Sequence, residues 1–227
     1  IFSDINSNMK KISIYCFILI SLGFIGCTSK THEKTIEDFD IREMSLQVDT
    51  LYSRMTQAER VAQLYGIRPK EIMEDGKLSL EKCKEKIPDG IGHICQYACA
   101  LDMEPNELRD FVRDLQNYLI HETPSGIPAI FHEEAITGLA AKGATVYPQQ
   151  LGIACTWNPE LATVKTEQTA EVMRSVGATL ALSPMVDLIR TAHWPRIEES
   201  YGEDGYLSAA MGVAFVEGLQ KKGLKNG

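Results

Sequence analysis

Basic residues are outnumbered in this chain. Its 227 residues include 23 Lys and Arg against 31 Asp and Glu, a formal charge of −8. That surplus argues against nucleic acid and anionic membrane surfaces as partners. Long apolar runs are missing as well: the stretch 12–25 is mostly apolar, yet too short for an ordinary membrane span. Histidine is scarce, five residues in all, and none lies near cysteine in a zinc-type spacing, so no metal site is expected. His132-Glu133 begins like the His-Glu-x-x-His of zinc proteases, but position 136 is Ile and the second ligand is lacking. No hairpin signal stands out. What is present is ordinary for a soluble globular protein, with 44% hydrophobic and 24% charged residues and enough chain for one domain with a sizeable core.

The amino terminus reads as a targeting segment. Residues 1–8 precede Met9, the expected start. Met9-Lys10-Lys11 is a positive n-region, residues 12–25 form an apolar h-region, and Gly26-Cys27 ends it before polar Thr28-Ser29-Lys30. This looks like a bacterial lipoprotein signal with Cys27 as the lipid anchor. The alternative is an ordinary secretory signal cut nearby. Either implies export, and the first implies a membrane-anchored protein of the periplasm or cell envelope. Residues 28–41 are polar and charged, a tether with little to bury. Loss of residues 1–26 removes Asp4, Lys10 and Lys11 and leaves a charge of −9. Export permits disulfides among Cys83, Cys95, Cys99 and Cys155. In a domain of this size, free buried thiols are the expectation.

Residues 42–227 carry the folded body. Apolar residues at helical spacing run from Val48 to Tyr65, and Thr56-Gln57-Ala58-Glu59 has the form of a capping box. One helix should therefore end near Met55 and another begin after Thr56. Residues 67–88 are charged and irregular. Residues 90–95 read as a short glycine-containing strand. Leu108, Phe111, Val112, Leu115 and Leu119 share one face of a helix over 106–121, with Pro105 in its first turn. Residues 127–131 form a compact apolar strand followed by Glu133 and Glu134, carboxylates suited to gripping hydroxyls. Another strand is expected after Tyr147. Asn158 as N-cap and Pro159 at the first position then open a helix to about Val176. A helix over 205–222 should bury Tyr206, Ala210, Val213, Phe215, Val216 and Leu219. Strands alternating with helices argue a parallel α/β fold.

The stretch 178–204 organises the rest. Leu180, Ala181 and Leu182 read as a strand covered on both faces. It empties into a segment holding Asp187, Arg190, His193, Trp194, Arg196, Glu198, Glu199, Glu203 and Asp204. Parallel α/β folds build ligand sites at such strand ends. In isolation, the segment also fits a surface loop of paired charges.

Three motifs in order resemble glycoside hydrolase family 3. Ser183, Pro184, Asp187, Trp194, Arg196, Glu199, Tyr201, Gly202, Glu203 and Asp204 follow its Ser-Pro-x-x-Asp…Trp-Gly-Arg-x-x-Glu-Ser-Tyr-Gly-Glu-Asp pattern. The run from Tyr147-Pro148-Gln149 to Thr156-Trp157-Asn158-Pro159-Glu160-Leu161 is similar almost residue for residue, and Ile127-Pro128 to Gly138 matches its Ile-Pro…Asp/Glu-x-x-His-Gly. Departures occur at Thr137, where His is common, at Thr191-Ala192-His193, and at Pro195 in place of Gly.

The resemblance implies an α/β fold: the first part of a (β/α)8 TIM-type barrel, incomplete in this chain. It implies a retaining exo-β-glycosidase removing terminal β-D-glucosyl or β-D-xylosyl residues from an oligosaccharide substrate, with no cofactor. It assigns Glu134, Arg196 and Trp194 to substrate binding, with Arg190 and His193 as neighbours, and gives Asp187 a supporting role. The nucleophile and acid/base are expected beyond Gly227, in a missing carboxy-terminal part of the same protein, which leaves no catalytic residue here. A retaining mechanism needs two carboxyl groups about 5 Å apart. Two rivals remain at this point: a glycan-binding surface lipoprotein without catalysis or a truncated relic, and an unrelated α/β protein of the solute-binding kind. On residue chemistry alone, Arg196 either binds sugar hydroxyls or pairs with Glu198, Glu199 or Glu203.

Overall fold

The computed structural model describes residues 41–220, of which residues from 51 on form one compact unit. The targeting segment, Cys27 and most of the tether lie outside the described residues. Helix α1 spans Ile41–Arg54 and α2 spans Gln57–Ala62. The capping box between them forms as expected: the Glu59 backbone N–H donates to Thr56 Oγ1 at 3.2 Å, and the Thr56 N–H donates to Glu59 Oε2 at 2.6 Å. Arg60 stacks over the Tyr52 ring at 3.8 Å and also donates to the Tyr52 carbonyl.

The main sheet has four parallel strands in chain order: β1 Gly66–Ile67, β4 His93–Cys95, β5 Ile130–Glu133 and β6 Leu180–Ala181. Helices fill the intervals, namely α3 Leu80–Lys86, α4 Tyr97–Ala100, α5 Pro105–Glu122, α6 Gln150–Ala154 and α7 Pro159–Val176, with α8 Gly205–Gln220 after β6. The expected parallel α/β arrangement is therefore present.

Strand alternation sorts the sheet faces. Ile94 and Phe131 are fully buried on the helix-facing side, where Tyr97, Phe111 and Phe131 form an aromatic cluster with centroid separations of 5.1–6.5 Å. The Tyr97 hydroxyl, buried with them, donates to the Val176 carbonyl at 2.7 Å. A second core lies among α6, α7 and α8 around Ile153, Tyr201, Met211 and Phe215. Close helix approach requires Gly218, where a Cβ would lie 1.9 Å from Thr166 Oγ1.

Several local expectations fail. Residues 67–88 are not irregular. They hold a 3-10 turn Pro69–Ile72, an antiparallel hairpin of β2 Met73–Glu74 with β3 Lys77–Leu78, and α3. Asp75 and Gly76 both take positive φ, 48° and 75°, the mirror-image turn that an Asp-Gly pair favours. The run after Tyr147 is helix α6 rather than a strand, because an apolar stretch of that length fits either state until its neighbours choose. The strand at 127–131 sits three residues later, over Ile130–Glu133. Leu180 in β6 and Leu182 just after it are exposed rather than covered on both faces, β6 being the last strand of the described sheet. Helix α8 buries Ser208, Met211, Gly212, Ala214, Phe215 and Gly218 and leaves Tyr206, Val213 and Val216 exposed. It is apolar nearly all round, so periodicity misphased its inner face. Of the four described cysteines, all free, only Cys83 is fully buried. Burial raises its thiol pKa to about 11.

Candidate sugar-binding site

The site gathers at the carboxyl ends of β4, β5 and β6. Register places Cys95 beside His132, and His132 beside Leu180. The next residues of each strand therefore emerge side by side. After β4 comes Gln96, after β5 Glu134, and after β6 Ser183 with its cis bond to Pro184. These loops are tied to one another. The Ala135 N–H donates to Ser183 Oγ at 3.2 Å, and the Leu182 N–H donates to the Glu133 carbonyl at 2.9 Å. Buried Gln150 grips the chain beyond β6 twice: its amide donates to the Met185 carbonyl at 2.8 Å and accepts from the Met185 N–H at 3.2 Å.

The two adjacent glutamates have different fates. Glu133 follows Phe131 to the helix side and is fully buried. One carboxylate oxygen accepts the Ala98 N–H at 2.6 Å, while the other has no hydrogen-bond partner. Burial raises its pKa from 4.5 to about 7; the Ala98 N–H opposes that shift and neighbouring Glu134 adds to it. Glu134 turns the other way and is half-buried at the strand end. Its Oε1 accepts the Gln96 side-chain amide at 3.4 Å.

Arg196 lies in the loop after β6. Its guanidinium makes a forked ion pair with Glu199, with Nη2 to Oε2 at 2.5 Å and Nε to both oxygens at 3.1 Å. Of the two roles open to Arg196 in the sequence, the ion pair is the one present, and the partner is Glu199. The side chain is nevertheless 54% exposed, so the fork holds it without enclosing it. The hydrogen bonds that Arg196 donates to Glu199 raise the Arg196 pKa, and the charges of Glu134 and Asp187 add to that. Reciprocally, the bond to Arg196 lowers the Glu199 pKa. Trp194 is half-buried in the same loop, its N–H donating to the Thr191 carbonyl at 3.3 Å, and Arg190 and His193 are exposed there. Asp204 serves structure: its Oδ1 accepts the Leu207 N–H at 2.7 Å and caps α8.

Two supporting residues escaped the sequence reading. Lys165 is 4% exposed within α7, and its amine donates to the carbonyls of Ile136 and Pro148. It staples the loop that follows Glu134, and burial lowers its pKa to about 8. Gln96 is the other. For Glu133, strand alternation with Phe131 was the available signal; a lone Lys or Gln amid its own segment offered none.

Parallel strands that bring an acidic group and an amide together at their carboxyl ends define an α/β protein with a polar strand-end site of the barrel kind. The chain belongs to glycosyl hydrolase family 3: the model of that family's N-terminal domain matches residues 56–227. A protein of Formosa agariphila, provisionally named a beta-xylosidase, is 32% identical over 227 residues, spanning 96% of this chain and 30% of its own length. A beta-xylosidase of the same organism is 46% identical over 104 residues, 43% of this chain and 14% of that protein. The solved b-glucosidase EmGH1 of Erythrobacter marinus superposes with a TM-score of 0.68 at 32% identity, covering 77% of this chain and 23% of that one. With this match the described sheet and helices are the opening of a (β/α)8-type barrel. The chain thus matches between 14% and 30% of the length of these relatives.

Proposed function

We propose that this chain is the amino-terminal portion of an exported, retaining exo-β-glycosidase that removes terminal β-D-glucosyl or β-D-xylosyl units from oligosaccharides. The observation that carries the reading is Glu134, half-buried at the carboxyl end of β5 and held there by the Gln96 side-chain amide. An ionised carboxylate there accepts two sugar hydroxyls through charge-assisted bonds, which are stronger than neutral ones. In this reading Arg196, still 54% exposed in its fork with Glu199, donates to hydroxyls as well, and Trp194 supplies a wall for the apolar face of the ring. The relatives' beta-xylosidase and b-glucosidase names support the two sugars. The two reacting carboxyl groups belong to the part of the protein that follows Gly227, as the greater length of the relatives suggests. The signal ending at Cys27 supports export and a lipid anchor.

The test is hydrolysis of 4-nitrophenyl β-D-xyloside and β-D-glucoside by the full-length protein, with the first-formed anomer followed by proton NMR. Release of the β-anomer is expected. An α-anomer first product sinks the retaining mechanism, and an inert full-length protein sinks the enzyme reading in favour of a glycan-binding lipoprotein.

A further inference from the structure

We propose that Gln96 is a positioning residue of this site, holding the Glu134 carboxylate in the orientation that receives the hydroxyls of a bound pyranoside. The proposal rests on the glycosidase reading above. Its first support is placement. Gln96 leaves β4 as Glu134 leaves β5, at the same end of two paired strands, and its amide reaches Glu134 Oε1 at 3.4 Å. Such contacts are often long before substrate binds and tighten afterwards.

The second support is the backbone. Gln96 has φ 50° and ψ 44°, the left-handed region that disfavours residues with a Cβ. Among the described residues, the other non-glycine cases are Asp75 and Trp157. Asp75 is explained by its hairpin turn, and Trp157 by the tight connection into the Asn158 cap. Glycine or asparagine would satisfy the backbone at 96 at lower cost. A glutamine there is retained against its own conformational preference, which points to the side chain.

The third support is that the surroundings fix this conformation. The Gln96 N–H donates to the His132 carbonyl at 3.0 Å, and the Gln96 carbonyl accepts from the Ala100 N–H at 3.1 Å. Two residues on, the Ala98 N–H is held by buried Glu133 at 2.6 Å. Tyr97 between them is fully buried and anchored through its hydroxyl. With the main chain pinned on both sides, the Cα–Cβ bond has a set direction, and the side chain leaving along it brings the amide to Glu134. Strain held at a ligand-facing position by over-determined surroundings is the pattern seen where geometry matters for binding.

The experiment uses the full-length protein and 4-nitrophenyl β-D-xyloside and β-D-glucoside. Gln96→Gly deletes the amide while relieving the backbone, so its Tm should equal or exceed that of the unmutated protein while kcat/KM falls about tenfold or more, the size expected for losing a hydrogen bond to a charged group. The same change in a Glu134→Ala background should cost less than about threefold, because residues acting through one another are not additive. Gln96→Asn, which tolerates the backbone but falls one methylene short, should behave like Gln96→Gly. Several outcomes overturn the proposal: Gln96→Gly within about twofold of the unmutated protein, a lower Tm for Gln96→Gly, or equal losses in both backgrounds. In those cases unimpaired turnover by the unmutated protein leaves the glycosidase reading standing. If the unmutated protein itself turns over neither substrate, both readings fall together.

Discussion

Replacing Glu133 by glutamine should change how stability depends on pH, by an amount the structure sets. Glu133 is fully buried on β5, and only one of its oxygens has a donor. Burial moves its pKa from the usual 4.5 to about 7. At about 1.4 kcal/mol per pH unit, that displacement corresponds to about 3 kcal/mol. The folded chain keeps its proton at a pH where the unfolded chain has lost it, so the unfolded state binds fewer protons between these two values. Stability from this group is complete below about pH 4.5 and is lost as pH rises through about 7. Above that, the native state carries a buried carboxylate that the unfolded state carries in water. Glutamine keeps the shape and the acceptor for the Ala98 N–H but never ionises. Urea unfolding followed by circular dichroism at pH 4.5 and pH 8 measures the difference between the two proteins. Relative to Glu133→Gln, the unmutated protein should lose about 3 kcal/mol between the two pH values, and the variant should be the more stable at pH 8. A difference that stays constant within about 1 kcal/mol would refute the buried, raised carboxyl.

Two further changes test the scaffold. Lys165→Met removes the amine that staples Ile136 and Pro148. Because burial lowers the Lys165 pKa from 10.5 to about 8, the unfolded chain binds more protons between those values and stability should rise with pH across them. Unfolding measured at pH 8 and pH 10 should show that rise in the unmutated protein and not in the variant. Gly218→Ala would put a methyl 1.9 Å from Thr166 Oγ1 and 2.5 Å from the Thr163 carbonyl, forcing α7 and α8 apart. Such overpacking costs about 1–3 kcal/mol and should appear as a lowered Tm. Gly152→Ala is the control: its nearest neighbour is Pro148 Cβ at 3.5 Å, an ordinary contact inside α6, and the gain in helix preference is about 1 kcal/mol or less.

Much of the fold was legible where a local signal and the tertiary context agreed. The Thr56 capping box, Pro105 at the start of α5, and Asn158-Pro159 opening α7 through Val176 all form where the sequence places them. Gly177 ends α7 with φ 89°, the left-handed cap that glycine supplies. Legibility failed where local chemistry left two answers. The Asp75-Gly76 turn signal was present, but the charged residues around it hid strands only two residues long. Residues 151–154 are apolar and few, and packing against α7 and α8 decides for helix. Helix α8 has too little polar surface for its phase to be read. At the site, the resemblance singled out Glu134 of the pair Glu133-Glu134, and the strand's phase, set by Phe131, buries Glu133 and leaves Glu134 half-buried. Gln96 was invisible because its meaning lies in a contact 38 residues away.

The most direct measurement is kcat/KM of the full-length protein and of its Glu134→Ala variant on 4-nitrophenyl β-D-xyloside and β-D-glucoside at pH 7. The account predicts turnover of at least one substrate, and a loss of about a hundredfold or more in the variant with its Tm unchanged within a few degrees, since a charged carboxylate that grips two hydroxyls contributes about 3 kcal/mol or more. Turnover that survives the loss of Glu134 would contradict the site, and a folded full-length protein that releases no nitrophenol would contradict the function.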